Sequence, residues 1–218
     1  PGNMTVTYVD KKGAEHTVTA QGVLAAAGRQ ANVDGLFGEN FSLEMERGAI
    51  VGDVDGRTSV PHVYVIGDAK AKNIQLAHVA SAQGENAVAV ITGKKPPLDM
   101  SVVPSCVYTT PEIASVGLTE ENAKANGIVV KSGKYLTGAN GKCLIEGTES
   151  GYVKLVTDKE NGRILGAQLV CPRATDMVGE LTLAIQKGLT AADLSEVIHP
   201  HPTFSEMLFG AAEGLRPE

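Results

Sequence analysis

Tyr152-Val153-Lys154-Leu155-Val156-Thr157 and Ile164-Leu165-Gly166-Ala167-Gln168-Leu169-Val170 flank the dipeptide Asn161-Gly162. Two strand-like runs joined through Asn-Gly read as a β-hairpin, because both residues tolerate the positive φ angles a tight turn requires. Helices are predicted after the hairpin at about 175–188 and 191–198, with a last one from near Thr203 toward Ala212. Before it, Thr119 to Asn126 reads as a short helix. Thr119 is its cap, and Glu120 and Glu121 favour its positive N-terminal end.

The pattern differs upstream. Met4-Thr5-Val6-Thr7-Tyr8-Val9 and His16-Thr17-Val18-Thr19 alternate apolar and polar residues around the turn Asp10-Lys11-Lys12-Gly13. Gly22-Val23-Leu24-Ala25-Ala26-Ala27 and Val63-Tyr64-Val65-Ile66 are continuous apolar runs, as expected of strands buried on both faces. A short strand is predicted at Ala49-Ile50-Val51. A helix is predicted over about 77–92, since Ala80, Ala87, Val88 and Ile91 recur at helical spacing and Gly93 suits its C-terminal end. Lys94-Lys95-Pro96-Pro97 breaks regular structure and marks a domain boundary. The start, Pro1-Gly2-Asn3, runs directly into strand-like sequence, which suggests a truncated or processed product.

Composition narrows the classes. The 218 residues carry 43% hydrophobic and 20% charged residues, enough for a real core in a protein of ordinary solubility. Aromatics are only 4%, so that core must be aliphatic. A net charge of -6, with no basic run, argues against nucleic acid. No apolar stretch is long enough to cross a bilayer, and no signal pattern opens the chain. Cys106, Cys143 and Cys171 are odd in number and far apart, so a disulfide framework and a zinc site are both disfavoured. Reduced cytosolic thiols are the expected state.

Two segments carry chemistry. The strand-like run 63–66 ends in Gly67-Asp68, which places a carboxylate where a sheet opens to ligand, although Gly-Asp alone is an ordinary turn. The other segment is His199-Pro200-His201-Pro202-Thr203-Phe204-Ser205-Glu206. A histidine titrates near neutrality, and a carboxylate partner can fix its tautomer. Thr203-x-x-Glu206 also matches a capping box, and spacing alone favours that reading.

The complete string resembles the signature near the C-terminus of dihydrolipoamide dehydrogenases, members of the pyridine nucleotide–disulfide oxidoreductases. The resemblance implies that His201 is the acid/base and Glu206 orients it, with His199 the weaker candidate. Thr58 to Asp68 is similar to the second flavin-binding motif of that family, with Asp68 on the ribityl chain of FAD. Gln75-Leu76-Ala77-His78 resembles a segment that lies against the isoalloxazine, which implies FAD contacts from Leu76, Ala77 and His78, while Gly67 joins Asp68 as a cofactor-binding residue of the preceding motif. Gly28-Arg29-Gln30-Ala31-Asn32 is similar to the signature ending the NAD domain, so Gly28 would lie near the nicotinamide nucleotide. The same glycine equally suits a plain turn. Pro104 to Glu120 is similar to the opening of the interface domain.

The resemblance thus implies an α/β plus α+β chain. Residues 1–28 are the tail of an NAD-binding domain, 29–98 the C-terminal part of an FAD-binding domain, and 99–218 an interface domain with an antiparallel sheet flanked by helices. No Gly-x-Gly-x-x-Gly loop and no redox-active Cys-x4-Cys pair is present, so the chain alone cannot pass electrons from dithiol to flavin to NAD. The implied whole is a cytoplasmic homodimeric dihydrolipoyl dehydrogenase using FAD and NAD. Its partner is a lipoyl-bearing protein of a 2-oxoacid dehydrogenase or glycine cleavage complex. Two alternatives stay open: a non-catalytic dimerisation module, and part of a glutathione-reductase-like enzyme.

Overall fold

A computed structural model describes residues 2–148 and 150–216. The chain divides into two compact units, Pro1–Leu76 and Ala77–Glu218. In the first, β1 (Met4–Val9) pairs antiparallel with β2 (Glu15–Ala20), Met4 facing Ala20 and Val9 facing Glu15. Asp10 closes the turn: its Oδ1 accepts the backbone N–H groups of Lys12 and Ala14 at 2.8 and 3.0 Å. β3 (Met45–Glu46) and β4 (Ala49–Ile50) form a second small ladder.

Two predicted strands of this unit are not formed. Residues 22–27 are irregular, and Leu24 is 90% exposed. A strand buried on both faces needs a neighbour on each side, and none of the described strands pairs with this run. Residues 63–66 make one antiparallel bridge, Tyr64 to Arg57, rather than a strand. Thr58 N–H donates to the Val63 carbonyl at 3.1 Å and Val65 N–H to the Gly56 carbonyl at 2.7 Å, so the run folds back on its own turn. Val65 is buried there, as is Ile50 on β4. Gly67–Ala69 forms a single 3-10 turn.

The second unit opens with α1 (Ala77–Ile91), closed by Gly93 at φ +71° with Lys94 N–H bonded to the Ala89 carbonyl. Asn86 on α1 both donates to the Leu98 carbonyl and accepts its N–H, at 2.8 and 2.9 Å. There follow β5 (Ser105–Val107), β6 (Glu112–Gly117), α2 (Glu120–Ala125), β7 (Val130–Leu136), α3 (Gly141–Glu146), β8 (Tyr152–Asp158) and β9 (Ile164–Cys171). Then come α4 (Ala174–Gln186), α5 (Ala191–Ser195) and α6 (Glu206–Glu213). Thr119 caps α2 as expected, its side chain accepting the Asn122 N–H at 3.1 Å.

The strands form one antiparallel sheet in the order β5-β6-β9-β8-β7. The β8–β9 hairpin lies at its centre. Its loop is longer than a two-residue turn: Asp158 Oδ1 accepts the Glu160 N–H at 2.8 Å, and Gly162 takes the left-handed φ of +74°. α4 packs on β6 and β9, and α6 on β7 and β8. Leu155, Ile164, Leu169, Leu181, Met207 and Leu208 are fully buried between them. The aliphatic core anticipated from the scarcity of aromatics is thus concentrated in this unit.

A polar link ties α4 to the sheet. Glu112 on β6 accepts both the hydroxyl and the backbone N–H of Thr175, at 2.6 and 2.9 Å. The Thr175 hydroxyl above all, then its N–H and the nearby Arg173, hold the Glu112 carboxyl below its ordinary value of 4.5. A depressed folded pKa stabilises the fold above the ordinary value, and that stability is lost as pH falls through the folded one. The urea midpoint is therefore expected to drop as pH is lowered below 4.5, and to drop less in Glu112→Gln.

Candidate active site

Residues 196–205 connect α5 to α6 without regular structure, and Pro200 and Pro202 restrict the path. His201 stands out from this loop with its side chain 74% exposed. Its Nδ1 lies 2.9 Å from Glu206 Oε1, at the first turn of α6. The other oxygen, Oε2, accepts the Thr203 N–H at 2.8 Å. The cap and the pair, which compete on spacing, are therefore made together by the two oxygens of one carboxylate. The capping box is only half formed, because the Thr203 hydroxyl turns back to donate to the Pro200 carbonyl at 2.7 Å.

The Thr203 N–H and, next, His201 hold Glu206 below the ordinary carboxylate value. Glu206 is thus ionised at neutral pH and can only accept. The bond to it then requires Nδ1–H on the neutral ring, which leaves the Nε2 lone pair directed away from the pair. This is the arrangement of a general base whose tautomer is fixed by an acid.

His199 has a different environment. Its side chain is 6% exposed, with Nε2 3.2 Å from Glu180 Oε1 and Nδ1 3.0 Å from the Val197 carbonyl. Both nitrogens are occupied, so it cannot meet an incoming group. The three cysteines are free: Cys106 is half-buried, and Cys143 and Cys171 are buried. Burial, the first cause, pushes the Cys171 thiol up to about 12, far from the thiolate that redox chemistry requires. No metal-binding cluster occurs among the described residues.

The predicted ligand residues of the first unit partly converge. Asp68 lies 3.2 Å from Arg29 Nη1, and Arg29 also donates to the Gln75 carbonyl. These three residues line a cleft of about 320 Å3. Gly67 is buried at φ +61°, its carbonyl accepting from Asn73 Nδ2 at 2.8 Å. Gly28, at φ +112°, precedes Arg29 but does not line the cleft. In the second unit Ala77 begins α1, and His78 Nε2 lies 2.8 Å from the Pro104 carbonyl. Sequence reading missed Arg29 as the counter-charge of Asp68 and Glu180 as the partner of His199. Opposite charge was the available signal in both cases, but nothing local sets the pairing.

Residues 103–212 match the dimerisation domain of the pyridine nucleotide-disulphide oxidoreductases, and residues 2–84 match the pyridine nucleotide-disulphide oxidoreductase domain itself. The chain belongs to that family. Within it, this chain is 43% identical to a dihydrolipoyl dehydrogenase of Bacillus subtilis (strain 168), over 97% of its own length and 46% of the relative's. It is also 43% identical to the dihydrolipoyl dehydrogenase of Geobacillus stearothermophilus, over 96% of its length and 44% of that protein. Among solved structures, LpdA of Mycobacterium tuberculosis superposes with a TM-score of 0.86 at 25% identity, covering 97% of this chain and 46% of that one. The HOCl-induced flavoprotein disulfide reductase RclA of Escherichia coli gives 0.83 at 26% identity, over 91% and 46%. This chain therefore spans less than half the length of these relatives. Its mixed helix and antiparallel sheet architecture is that of the family, and the loop 199–206 lies inside the dimerisation-domain match.

Proposed function

We propose that this chain is the C-terminal part of a dihydrolipoyl dehydrogenase and supplies that enzyme's proton-transferring pair. The observation that carries the reading is an exposed imidazole bonded through Nδ1 to an ionised carboxylate, leaving Nε2 to face an incoming group. The reaction is dihydrolipoyl plus NAD+ giving lipoyl, NADH and a proton. Nε2 of His201 takes a proton from the substrate thiol, Glu206 stabilises the imidazolium that results, and the proton is returned in the reverse direction. The redox chemistry is supplied by FAD and NAD when bound.

The donor set suits the flavin's sugar-like chain. Asp68 is a partly exposed carboxylate at a cleft, beside a buried glycine with a left-handed backbone. Asp68 and Gly67 would hold that chain, the backbone of Leu76, Ala77 and His78 would contribute beside the ring, and Gly28 would lie toward the nicotinamide nucleotide. The boundaries proposed by descent are residues 1–28 for the NAD domain, 29–98 for the FAD domain and 99–218 for the interface domain. The enzyme is read as a cytoplasmic homodimer acting on a lipoyl-bearing protein. Among the described residues, no helix is long and apolar enough to cross a membrane.

A chimera tests this reading: the chain replaces the matching C-terminal portion of the Bacillus subtilis dihydrolipoyl dehydrogenase. The expected result is a yellow protein that reduces NAD+ with dihydrolipoamide. A flavin-loaded chimera with no such turnover, but with glutathione disulfide reductase activity, would move the assignment to the other substrate class. A second reading, a dimerisation module without catalysis, draws on the exposed apolar residues Tyr108, Leu144, Ile145 and Ile198 of the second unit. It predicts a chimera that dimerises and turns over neither substrate.

A further inference from the structure

We propose that Asn140 is a positioning residue for the His201–Glu206 pair, joining the start of α3 to the loop that carries it. Asn140 is 2% exposed and lies immediately before α3. Its Oδ1 accepts the Cys143 N–H at 2.9 Å, an ordinary helix cap. Its Nδ2 donates to the Thr203 carbonyl at 3.0 Å, 63 residues further along the chain. A cap needs only an acceptor, and Ser, Thr or Asp would serve as well. The amide is the side chain of that length that accepts at one end and donates at the other, so the donor half answers to the loop rather than to the helix.

The bonds then run in series. Asn140 fixes the peptide that follows the Thr203 Cα, and the N–H of Thr203 fixes Glu206 Oε2. Glu206 Oε1 fixes His201 Nδ1. The Thr203 hydroxyl, bonded to the Pro200 carbonyl, pins the same residue from the other side. Thr203 is the node at which a buried anchor meets an exposed pair, and its N–H is the first cause of the low Glu206 pKa. Losing the anchor frees Thr203, lets the carboxylate turn, and relaxes the tautomer of His201.

This inference rests on reading the pair as the proton-transferring group, and its test is taken on the isolated chain so that the two can fail separately. The 15N shifts of the His201 ring, assigned by loss in His201→Gln, report the ratio of Nδ1–H to Nε2–H forms. Asn140→Ser keeps the cap, while its shorter side chain cannot also reach the Thr203 carbonyl. The ratio is expected to fall about fivefold, what one ordinary hydrogen bond contributes. Thr119→Ala removes a cap of the same kind from α2 and is expected to leave the ratio unchanged. Should Asn140→Ser not fold, the isosteric Asn140→Asp retains the cap acceptor, lacks the donor, and is expected to shift the ratio the same way. A folded Asn140→Ser or Asn140→Asp with the unaltered ratio would overturn the proposal, as would an equal shift in Thr119→Ala. An enzyme fully active as His201→Gln would instead remove the acid/base reading and leave the tautomer result standing.

Discussion

Replacing His201 by glutamine in the flavin-loaded chimera is expected to lower turnover by about 10²- to 10⁴-fold, the usual worth of a positioned acid or base. Glutamine can still bond Glu206 but cannot take a proton. The loss belongs in kcat, because the group acts on the proton in flight rather than on substrate binding alone. His199→Gln should cost far less in kcat, since both its ring nitrogens are already engaged by Glu180 and Val197. Steady-state rates at saturating dihydrolipoamide distinguish the two. A His201→Gln enzyme within a few-fold of the parent would place the base elsewhere.

The largest expected effect on the fold comes from Gly166→Ala. Gly166 on β9 faces Gly117 on β6 in the antiparallel ladder. A Cβ at Gly166 would fall 1.9 Å from the Leu118 carbonyl oxygen and 2.6 Å from its nitrogen. These are backbone atoms, and the Leu118 N–H is bonded to the Leu165 carbonyl at 2.9 Å, so neither strand can yield without breaking the ladder. Overpacking of this kind costs about 1–3 kcal/mol, and a clash with backbone belongs at or above the upper end. Urea unfolding at neutral pH should show a lower midpoint with an unchanged slope. A variant as stable as the parent would contradict the Gly117–Gly166 register.

What could be read in the sequence was local. The β8–β9 hairpin, the cap at Thr119 and the glycine at the end of α1 each depend on residues a few positions apart, and each is found where its chemistry points. Residues 22–27 and 63–66 were misread because an apolar run states that burial is available, while a strand also needs a partner, and pairing is non-local. The helix of the C-terminal loop starts at Glu206 rather than near Thr203, because the Thr203 hydroxyl is spent on Pro200.

The site divides in the same way. His201 and Glu206 are five positions apart, and their side chains meet at 2.9 Å. Arg29 and Asp68 meet across 39 positions, and Asn140 and Thr203 across 63, by contacts that only the folded chain brings about. Nothing within a few positions of Asn140 points to Thr203, so the anchoring role had no signal in the sequence.

The double-mutant cycle of His201→Gln and Glu206→Gln, measured as kcat in the flavin-loaded chimera, is the most direct test of the central claim. If Glu206 acts through His201, the double variant is no slower than His201→Gln alone, because the acid has nothing left to orient. If the two losses instead multiply, the imidazole and the carboxylate act independently, and the account of them as one proton-transferring unit is contradicted.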